Sequence, residues 1–294
     1  MASVLVIGGD GQVGRTLRGR PRDTALDVGF LGRDALDITD ATLVDDAIAA
    51  HGPDVVVNCA AYSNVDGAET DTDQAFAVNR DGPGNLAAAC HDAGAALIHM
   101  STDYVFDGLG DAPYTEDDPI SPVSAYGESK AAGEAAVRAR LERHVILRTA
   151  WVFSPIGRNF VRSIVAAAQA GKDLRVVDDQ IGGPMDAEPL ADGILSIATF
   201  LADVSGASGT YHLAGAPPVS RFDFACEIVS AVGTVRGDAP RVTPTTSVEY
   251  PTPARRPVRA ILDCARVGQV YGLAQPDWRS SLSAVVGACM EADQ

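Results

Sequence analysis

Three glycines directly after an apolar run constrain the fold of this chain more than any other feature. The run Val4–Ile7 leads into Gly8, Gly11 and Gly14, and a helix-favouring segment follows. Glycines at this spacing let the backbone turn sharply and approach a pyrophosphate, while the N-terminus of the next helix offers free N–H groups. The strand–turn–helix context therefore predicts a dinucleotide-binding turn rather than a simple tight turn.

Short apolar runs alternate with helix-favouring segments through the first half of the chain. The runs lack polar alternation, which is typical of strands buried on both faces of a sheet. Repeated strand–helix units predict an α/β fold with a Rossmann-type, doubly wound parallel sheet. The predicted strands are Val4–Ile7, Asp54–Asn58, Ala96–Met100 and His144–Arg148, and the predicted helices are Val13–Arg18, Thr42–Ala50, Asp71–Ala93 and Ala125–Leu141.

The strand–helix pattern loosens after about Trp151. The prolines of residues 251–257 exclude a helix or a central strand there. We expect a dinucleotide-binding domain at residues 1–150 and a smaller, mainly substrate-binding α/β domain at residues 151–294, with later segments returning to the first domain. Helices in the second half are predicted at Asn159–Gln169, Glu188–Leu201 and Ser220–Val232.

The charge balance of the chain is strongly acidic. It has 39 acidic and 23 basic residues, a net charge of −16 and a pI of about 4.6. This excess argues against general binding to nucleic acid or anionic membranes, so local groups must hold any phosphate-bearing ligand. Only Lys130 and Lys172 are lysines, and Asp is abundant. The composition predicts a protein that stays soluble in high salt, from a halophilic source.

Other features bear on location and metal binding. The chain has no apolar run of about 18 residues, and no basic region precedes the first strand, so we expect no membrane span or signal peptide and a cytoplasmic location. The histidines are scattered, so we expect no metal site. Five cysteines without a C-x-x-C pair are typical of reduced thiols: Cys59, Cys90, Cys226, Cys264 and Cys289.

The end of the second strand bears on the choice of cofactor. An acidic residue there would bind the ribose diol of NAD, whereas Arg33 could meet the 2′-phosphate of NADPH. Because Asp34 lies beside Arg33, both cofactors stay open, with a slight preference for NADPH; a solvated loop arginine is the alternative. Small residues after the third strand would let a cofactor lie close to the backbone, or simply pack tightly. The further predicted cofactor contacts are Gln12, Val13, Asp37, Ile38, Ala60, Ala61 and Tyr62.

Tyr126 and Lys130 form a second informative pair. Four positions apart on a predicted helix, they share one helix face. The ammonium favours the phenolate, so it should lower the tyrosine pKa from about 10. Thr102 ends an apolar run, which places its hydroxyl at the carboxyl edge of the sheet, where ligands bind. The three residues predict an acid–base unit; for Tyr126 and Lys130 alone, a solvated helix face would be the simpler interpretation.

These motifs together resemble those of the extended short-chain dehydrogenases/reductases. The resemblance rests on the glycine turn, the residues 58–61 and 101–104, and the Tyr126–Lys130 motif. More narrowly, the chain is similar to the dTDP-4-dehydrorhamnose reductase family. The segments that carry the narrower similarity span nearly the whole chain: residues 11–14, 101–108, 148–153, 179–184 and 251–257.

The resemblance implies NAD(P)H-dependent reduction of the C4 ketone of dTDP-4-dehydro-L-rhamnose. Tyr126 would donate a proton to the ketone oxygen, Thr102 would hydrogen-bond the same region, and Lys130 would bond the nicotinamide ribose. Tyr126 and Lys130 are thus expected cofactor contacts as well. The alternatives are another nucleotide-sugar 4-ketoreductase or epimerase, or a non-catalytic regulatory relative.

The resemblance also implies a set of substrate contacts. Trp151 could instead be a core residue, Asp103 a helix or loop cap, and Arg256 a partner in an interface salt bridge. As a substrate contact, Arg256 would use its planar guanidinium to pair with the diphosphate. The expected contacts are Val65, Thr102, Asp103, Tyr126, Trp151 and Arg256.

Metal-linked dimerisation is a further property of some family members. They bind a divalent ion at a dimer contact through acidic residues near the first helix and near Glu188. Here the first-helix position is Thr16, and Pro189 follows Glu188. We therefore regard Mg²⁺ as doubtful, while a homodimer stays possible.

Overall fold

The computed structural model describes residues 1–20, 26–203 and 207–292. The strands in these ranges are β1 (Ala2–Ile7), β2 (Leu26–Leu31), β3 (Val55–Asn58), β4 (Ala96–Thr102), β5 (His144–Thr149), β6 (Val152–Phe153), β7 (Leu174–Val177), β8 (Ile181–Gly182), β9 (Met185–Asp186), β10 (Gly209–His212), β11 (Val219–Ser220) and β12 (Val242–Thr245). Six of them form one sheet in the order β10-β5-β4-β3-β1-β2, and every neighbouring pair is parallel. The predicted parallel sheet is confirmed.

Burial on both faces explains the uninterrupted apolar strands. In β1, Val4 and Val6 belong to one hydrophobic cluster, whereas Leu5 and Ile7 belong to another on the opposite face. Successive side chains of a strand point to opposite faces, so a doubly wound sheet needs apolar residues at every position. The apolar residues at successive strand positions therefore fit a sheet that is covered by helices on both faces.

Helices cover both faces of the sheet. The predicted helix at residues 71–93 is interrupted by a π-helical turn at Ala77–Asp81. None of the helices in the described ranges is long and apolar enough to cross a membrane. The helices are α1 (Gln12–Gly19), α2 (Ala41–His51), α3 (Thr72–Phe76), α4 (Gly82–Ala93), α5 (Ala125–Arg140), α6 (Phe160–Gln169), α7 (Ala187–Ala202), α8 (Arg221–Arg236), α9 (Ala265–Tyr271) and α10 (Arg279–Ala292).

The chain after Trp151 contributes to two hydrophobic clusters. Helices α6, α8 and α10 pack around a cluster of their own that includes Phe224 and the fully buried Trp278. In contrast, α7 and α9 pack on the sheet, and β10 pairs with β5 at its edge. Segments of the second half thus return to the first unit. The division at residues 150 and 151 into cofactor and substrate domains stays a prediction.

The order of the strands fixes where a ligand binds. The chain runs from β1 outward to β2 and then crosses to β3 on the other side of β1. In open α/β sheets, ligands bind at the carboxyl ends of strands where the order reverses in this way. Gly8 and Asn58 lie at these ends, between β1 and β3.

Candidate active site

The glycine turn after β1 is too tightly packed for other residues. Gly8 has a φ of 79°, and a Cβ atom there would lie 2.5 Å from the backbone nitrogen of Ala60. A Cβ atom on Gly14 would lie 2.4 Å from the carbonyl oxygen of Gly8. No side chain caps α1 at Gly11, which leaves the N–H groups of its first turn available to an anionic ligand.

A cavity of about 380 Å³ opens beside this turn. It joins the end of β2 to the end of β3, as an adenosine site requires. The carboxylate of Asp37 in its wall accepts hydrogen bonds from the backbone N–H and hydroxyl of Thr39, and these bonds lower the pKa of Asp37. The predicted cofactor contacts that line this cavity are Gly8, Gly11, Arg33, Asp37, Ile38, Ala60, Ala61 and Tyr62.

A second cavity, of about 580 Å³, continues from the first. Both are lined by Asp10, Gly11, Cys59 and Ala61, so a ligand could extend through both. The predicted site residues in its wall are Gly11, Gln12, Val13, Val65, Thr102, Asp103, Tyr126 and Trp151. The structure therefore brings predicted residues from five separate segments into one space.

Two buried polar atoms in this wall lack a hydrogen-bond partner within the described residues. They are Nε2 of Gln12 and Oγ1 of Thr149. Because an unsatisfied buried polar group is costly, such atoms indicate a ligand that completes their hydrogen bonding. A nicotinamide dinucleotide, with its phosphate, ribose and carboxamide groups, fits this wall and the uncapped turn of α1.

The N-terminus of α5 places the predicted acid–base unit. Ser124 caps this helix by accepting a hydrogen bond from the backbone N–H of Gly127 at 3.2 Å. This puts Tyr126 in the first turn and Lys130 one turn later. The ammonium of Lys130 is buried and donates to the carbonyl oxygen of Met100 at 2.6 Å. Thr102, at the end of β4, lies close enough to Tyr126 to lower the pKa of its phenol.

The pKa of Tyr126 departs from the sequence-based prediction. Burial raises it, the charge of Asp103 raises it further, and the nearby Thr102 opposes both. Lys130 does not lower this pKa in the structure, so that prediction was wrong. The physical reason is that the ammonium is turned to Met100 and is itself desolvated, which lowers the Lys130 pKa to about 8. Tyr126 is thus a neutral phenol, the form that can donate a proton.

Asp103 lies beside this unit and is only 2% exposed. The hydroxyl of Thr102 donates to its Oδ1 at 2.9 Å. Burial raises the pKa of Asp103 to about 7, against the effects of that hydrogen bond and of the charge of Arg221. Thr102 caps the short 3₁₀ turn after β4 by accepting a hydrogen bond from the backbone N–H of Tyr104. Asp103 therefore does not cap this turn.

Trp151 and Arg221 form one wall of the second cavity. Trp151 has a φ of 47°, a strained conformation for a side chain of this size. The guanidinium of Arg221 stacks 3.6 Å from the centre of its ring and 4.9 Å from that of Phe160. Sequence reasoning missed Arg221. The only signal was its position directly after Ser220, at the start of a predicted helix.

A third hollow lies elsewhere on the described part of the molecule. It measures about 820 Å³ and is lined by Asp178, Asp223 and Glu227 opposite Arg259 and Arg279. It is shallow and shares no residue with the two cavities described above. We place the active site at the smaller cavities, because the glycine turn and Tyr126 meet there.

The family of the chain follows from comparison with known proteins. The family model described as the RmlD substrate binding domain matches residues 1–290. The chain belongs to this family. A dTDP-4-dehydrorhamnose reductase from Burkholderia thailandensis is 41% identical over 98% of this chain and 97% of that protein. A probable dTDP-4,6-dihydroxy-2-methyloxan-3-one 4-ketoreductase from Streptomyces antibioticus is 40% identical over 95% of this chain and 92% of that protein.

A solved structure of the family supports the same fold. The dTDP-4-dehydrorhamnose reductase of Bacillus anthracis, solved in complex with NADP, superposes with a TM-score of 0.88. It is 31% identical, and the match covers 97% of this chain and 98% of that one. The predicted family resemblance and Rossmann-type fold are therefore confirmed.

Arg256 forms a salt bridge with Asp66. Its guanidinium donates to both oxygens of Asp66, at 3.0 and 2.8 Å, and this pair lowers the pKa of Asp66. Arg256 does not line either cavity. The geometry matches the salt-bridge alternative, and a diphosphate contact would require Arg256 to leave Asp66.

Glu188 and the neighbouring Asp192 also form salt bridges. Arg20, at the end of α1, donates to Glu188 at 2.9 Å and to both oxygens of Asp192 at 2.7 and 2.6 Å. A side-chain cation thus lies between these carboxylates. The cap of α7 is Asp186 rather than Glu188.

Proposed function

We propose that the protein reduces the C4 ketone of dTDP-4-dehydro-L-rhamnose to dTDP-L-rhamnose with a nicotinamide cofactor. The observation that carries this proposal is the position of the neutral phenol of Tyr126, beside Thr102, in the wall of the second cavity. That cavity continues from the dinucleotide turn, so a sugar ketone in it would lie against a nicotinamide. We infer the identity of the substrate from two relatives that are dTDP-4-dehydrorhamnose reductases.

The residues would act as follows. The bound nicotinamide supplies the hydride. The ketone oxygen gains negative charge as the hydride arrives, and the phenol of Tyr126 donates a proton to it. Thr102 stabilises the same oxygen or the phenolate by hydrogen bonding. The ammonium of Lys130 would turn from Met100 to the ribose hydroxyls of the cofactor, where its charge favours the phenolate.

The substrate would lie between Trp151 and the end of β4. The Trp151 ring, held by Arg221, offers a flat apolar surface to a sugar, and Val65 lies in the same wall. Arg221 also offers a cation to the diphosphate. We propose that α6, α8 and α10 with their strands form the substrate domain of residues 151–294, because Phe160 and Arg221 in this wall come from α6 and α8.

We propose NADPH as the preferred cofactor. Arg33 lines the first cavity, and Asp34 does not. A guanidinium there suits a 2′-phosphate, whereas an NAD-specific site would offer a carboxylate. Asp37 stands in the same wall, which supports use of NADH as well.

We further propose a cytoplasmic, Mg²⁺-independent protein that can form a homodimer and is adapted to high salt. The hydrogen bonds from Arg20 to Glu188 and Asp192 support metal independence, because the guanidinium of Arg20 already pairs with these carboxylates. The acidic composition supports the salt adaptation.

An assay of cofactor oxidation tests the proposed function. The protein is mixed with dTDP-4-dehydro-L-rhamnose and either NADPH or NADH, at low and high salt, and the absorbance of the reduced nicotinamide is followed. We expect oxidation that depends on the sugar nucleotide. Absence of oxidation with both cofactors would rule the activity out and leave a regulatory role.

A second reductase activity is favoured by the Streptomyces relative, which is named for a different dTDP-linked sugar. The same assay with that ketone distinguishes the two. A higher kcat/KM for it than for dTDP-4-dehydro-L-rhamnose would reassign the substrate within the same chemistry.

A further inference from the structure

Thr149 carries a buried hydroxyl group to which the proposed mechanism gives no part. The residue ends β5, lines the second cavity and is only 8% exposed. Its Oγ1 atom has no hydrogen-bond partner among the residues that the structure describes. A hydroxyl can donate one hydrogen bond and accept two, and leaving it buried without any is costly. The atom therefore marks a point at which the cavity can bind a polar group of a ligand.

The pairing of β4 with β5 fixes where this hydroxyl lies. Thr149 is the partner of Thr102 in the parallel register of the two strands. Partners in neighbouring parallel strands point to the same face of the sheet, and the strands lie about 4.8 Å apart. Thr149 is thus one strand spacing from Thr102, at the same carboxyl edge. Cys59, which directly follows β3, lines the same cavity, and these three residues form its floor.

The floor continues out of the first cavity, because Cys59 and Ala61 line both cavities. A dinucleotide with its adenosine in the first cavity would therefore enter the second along the floor, toward the ends of β4 and β5. Trp151 lies in a different wall. Its ring stacks on Arg221, and a Cβ atom on Gly182 would lie 2.6 Å from that ring. The floor thus suits the cofactor, and the Trp151 wall suits the sugar.

We propose that the hydroxyl of Thr149 binds the carboxamide of the nicotinamide ring and holds the ring on the floor, an inference that rests on the proposed ketone reduction. The carboxamide offers N–H donors and a carbonyl acceptor, and the Thr149 hydroxyl can pair with either. This bond fixes the rotation of the ring beside Tyr126 and leaves the space toward Trp151 to the sugar. Thr149 is therefore a positioning residue that exchanges no proton with the substrate.

Cofactor binding without sugar tests this contact. NADP⁺, or an analogue of NADP⁺ that lacks the carboxamide, is titrated into the protein, and the quenching of tryptophan fluorescence gives the Kd. Thr149→Val removes the hydroxyl and keeps the branched shape. It should weaken NADP⁺ binding about five-fold, as expected for the loss of one hydrogen bond between neutral groups. It should bind the analogue as tightly as the unaltered protein does.

Thr149→Ser is the matched variant, because it keeps a hydroxyl and should restore the Kd for NADP⁺. Equal losses for NADP⁺ and the analogue in Thr149→Val, or no loss for either, would overturn the contact. A raised KM for the sugar nucleotide with unchanged Kd values would also overturn it and make Thr149 a sugar contact.

The titrations contain no sugar, so they separate this inference from the proposed function. A loss of affinity confined to the cofactor with a carboxamide would support the contact even if the protein does not reduce the sugar nucleotide. Reduction of the sugar nucleotide together with unchanged Kd values in Thr149→Val would keep the reductase activity and remove the contact.

Discussion

Tyr126 is a residue whose protonation is set by its environment rather than by its helix neighbour. Burial and the charge of Asp103 hold it as a phenol, against the effect of the nearby Thr102. A group that is protonated across the neutral range can act as a general acid but needs a path for its proton. The reaction direction that suits it is therefore reduction.

Tyr126→Phe tests this role. We expect kcat to fall by about 10²–10⁴-fold, the usual contribution of a general acid, because the phenyl ring cannot protonate the ketone oxygen. Cofactor affinity, measured by fluorescence titration with NADPH, should change little. Tyr104→Phe is a matched control, since this ring packs edge-on against Tyr126 at 5.5 Å. Normal turnover of Tyr126→Phe would remove Tyr126 from the proton-donor role.

Arg33 is the residue that we expect to set the proposed preference for NADPH. Arg33→Ala should raise the KM for NADPH by about ten-fold, as expected for loss of one charge-assisted hydrogen bond, and should leave the KM for NADH nearly unchanged. The exposed Arg241, which lines neither cofactor cavity, gives a control variant, Arg241→Ala. Equal changes for both cofactors would return Arg33 to a solvated loop residue.

The sequence predicted which residues meet in the cavities better than it predicted their pKa values and side-chain contacts. Gly8, Thr102 and Tyr126 could be placed because spacing and strand ends fix backbone position. The pKa of Tyr126 could not, because it depends on burial and on the direction in which the Lys130 side chain turns. Arg221 was missed for a similar reason: its role arises from stacking on Trp151, a contact between distant segments.

At the scale of elements, a buried charge cluster joins α5 to β4 and β5. Glu134, one turn beyond Lys130, accepts from Arg148 at 2.8 and 2.7 Å and from Ser101 at 2.6 Å. Burial opposes its charge, but these bonds keep the pKa of Glu134 below its ordinary value. The cluster fixes the distance between the helix that carries Tyr126 and the strand that carries Thr102.

Glu134→Gln should destabilise the protein by about 3–5 kcal/mol, because it leaves the guanidinium of Arg148 buried without a counter-charge. Urea unfolding measures the change. Glu142→Gln removes an exposed carboxylate just after the same helix and should have almost no effect. Equal stability of the two variants would mean that the buried pair contributes little.

The prediction of strands and helices was most accurate where a short run of residues is uniformly apolar. The strands β1, β3, β4 and β5 lie where the sequence placed them, because each is buried on both faces. Strand β10 was not predicted, since Gly209–His212 is short and pairs only with β5 at the sheet edge. The π-helical turn at Ala77–Asp81 was likewise unpredicted, because helix periodicity continues through it.

At the scale of the whole molecule, buried histidines set its response to acid. The neutral ring of His212 lies within 3.1 Å of the carbonyl oxygen of Asp263 and within 3.3 Å of Arg148. Nδ1 therefore carries the proton and Nε2 accepts from the guanidinium. Burial and the Arg148 charge lower the pKa of His212 to about 3.

This depressed pKa gives a direction for acid stability. His212 contributes stability above its unfolded pKa of about 6.5, and that stability is lost as pH falls toward 3, at about 1.4 kcal/mol per pH unit. His212→Gln, whose amide can form both hydrogen bonds, should have a flatter dependence of unfolding free energy on pH. His51→Gln alters an exposed ring on α2 and should keep the original slope. Identical slopes in both variants would exclude His212 as the main cause.

The net charge of −16 gives the last prediction, since like charges over a compact surface repel one another. Added salt screens charges separated by more than about 10 Å at 0.1 M, so the Tm should rise by several degrees as KCl increases. Asp45 and Asp46 are exposed on α2, away from both cavities. Replacing both by lysine should raise the Tm at low salt and reduce the rise with KCl, while an uncharged osmolyte should stabilise both proteins equally. A Tm of the unaltered protein that does not change with KCl would contradict adaptation to high salt.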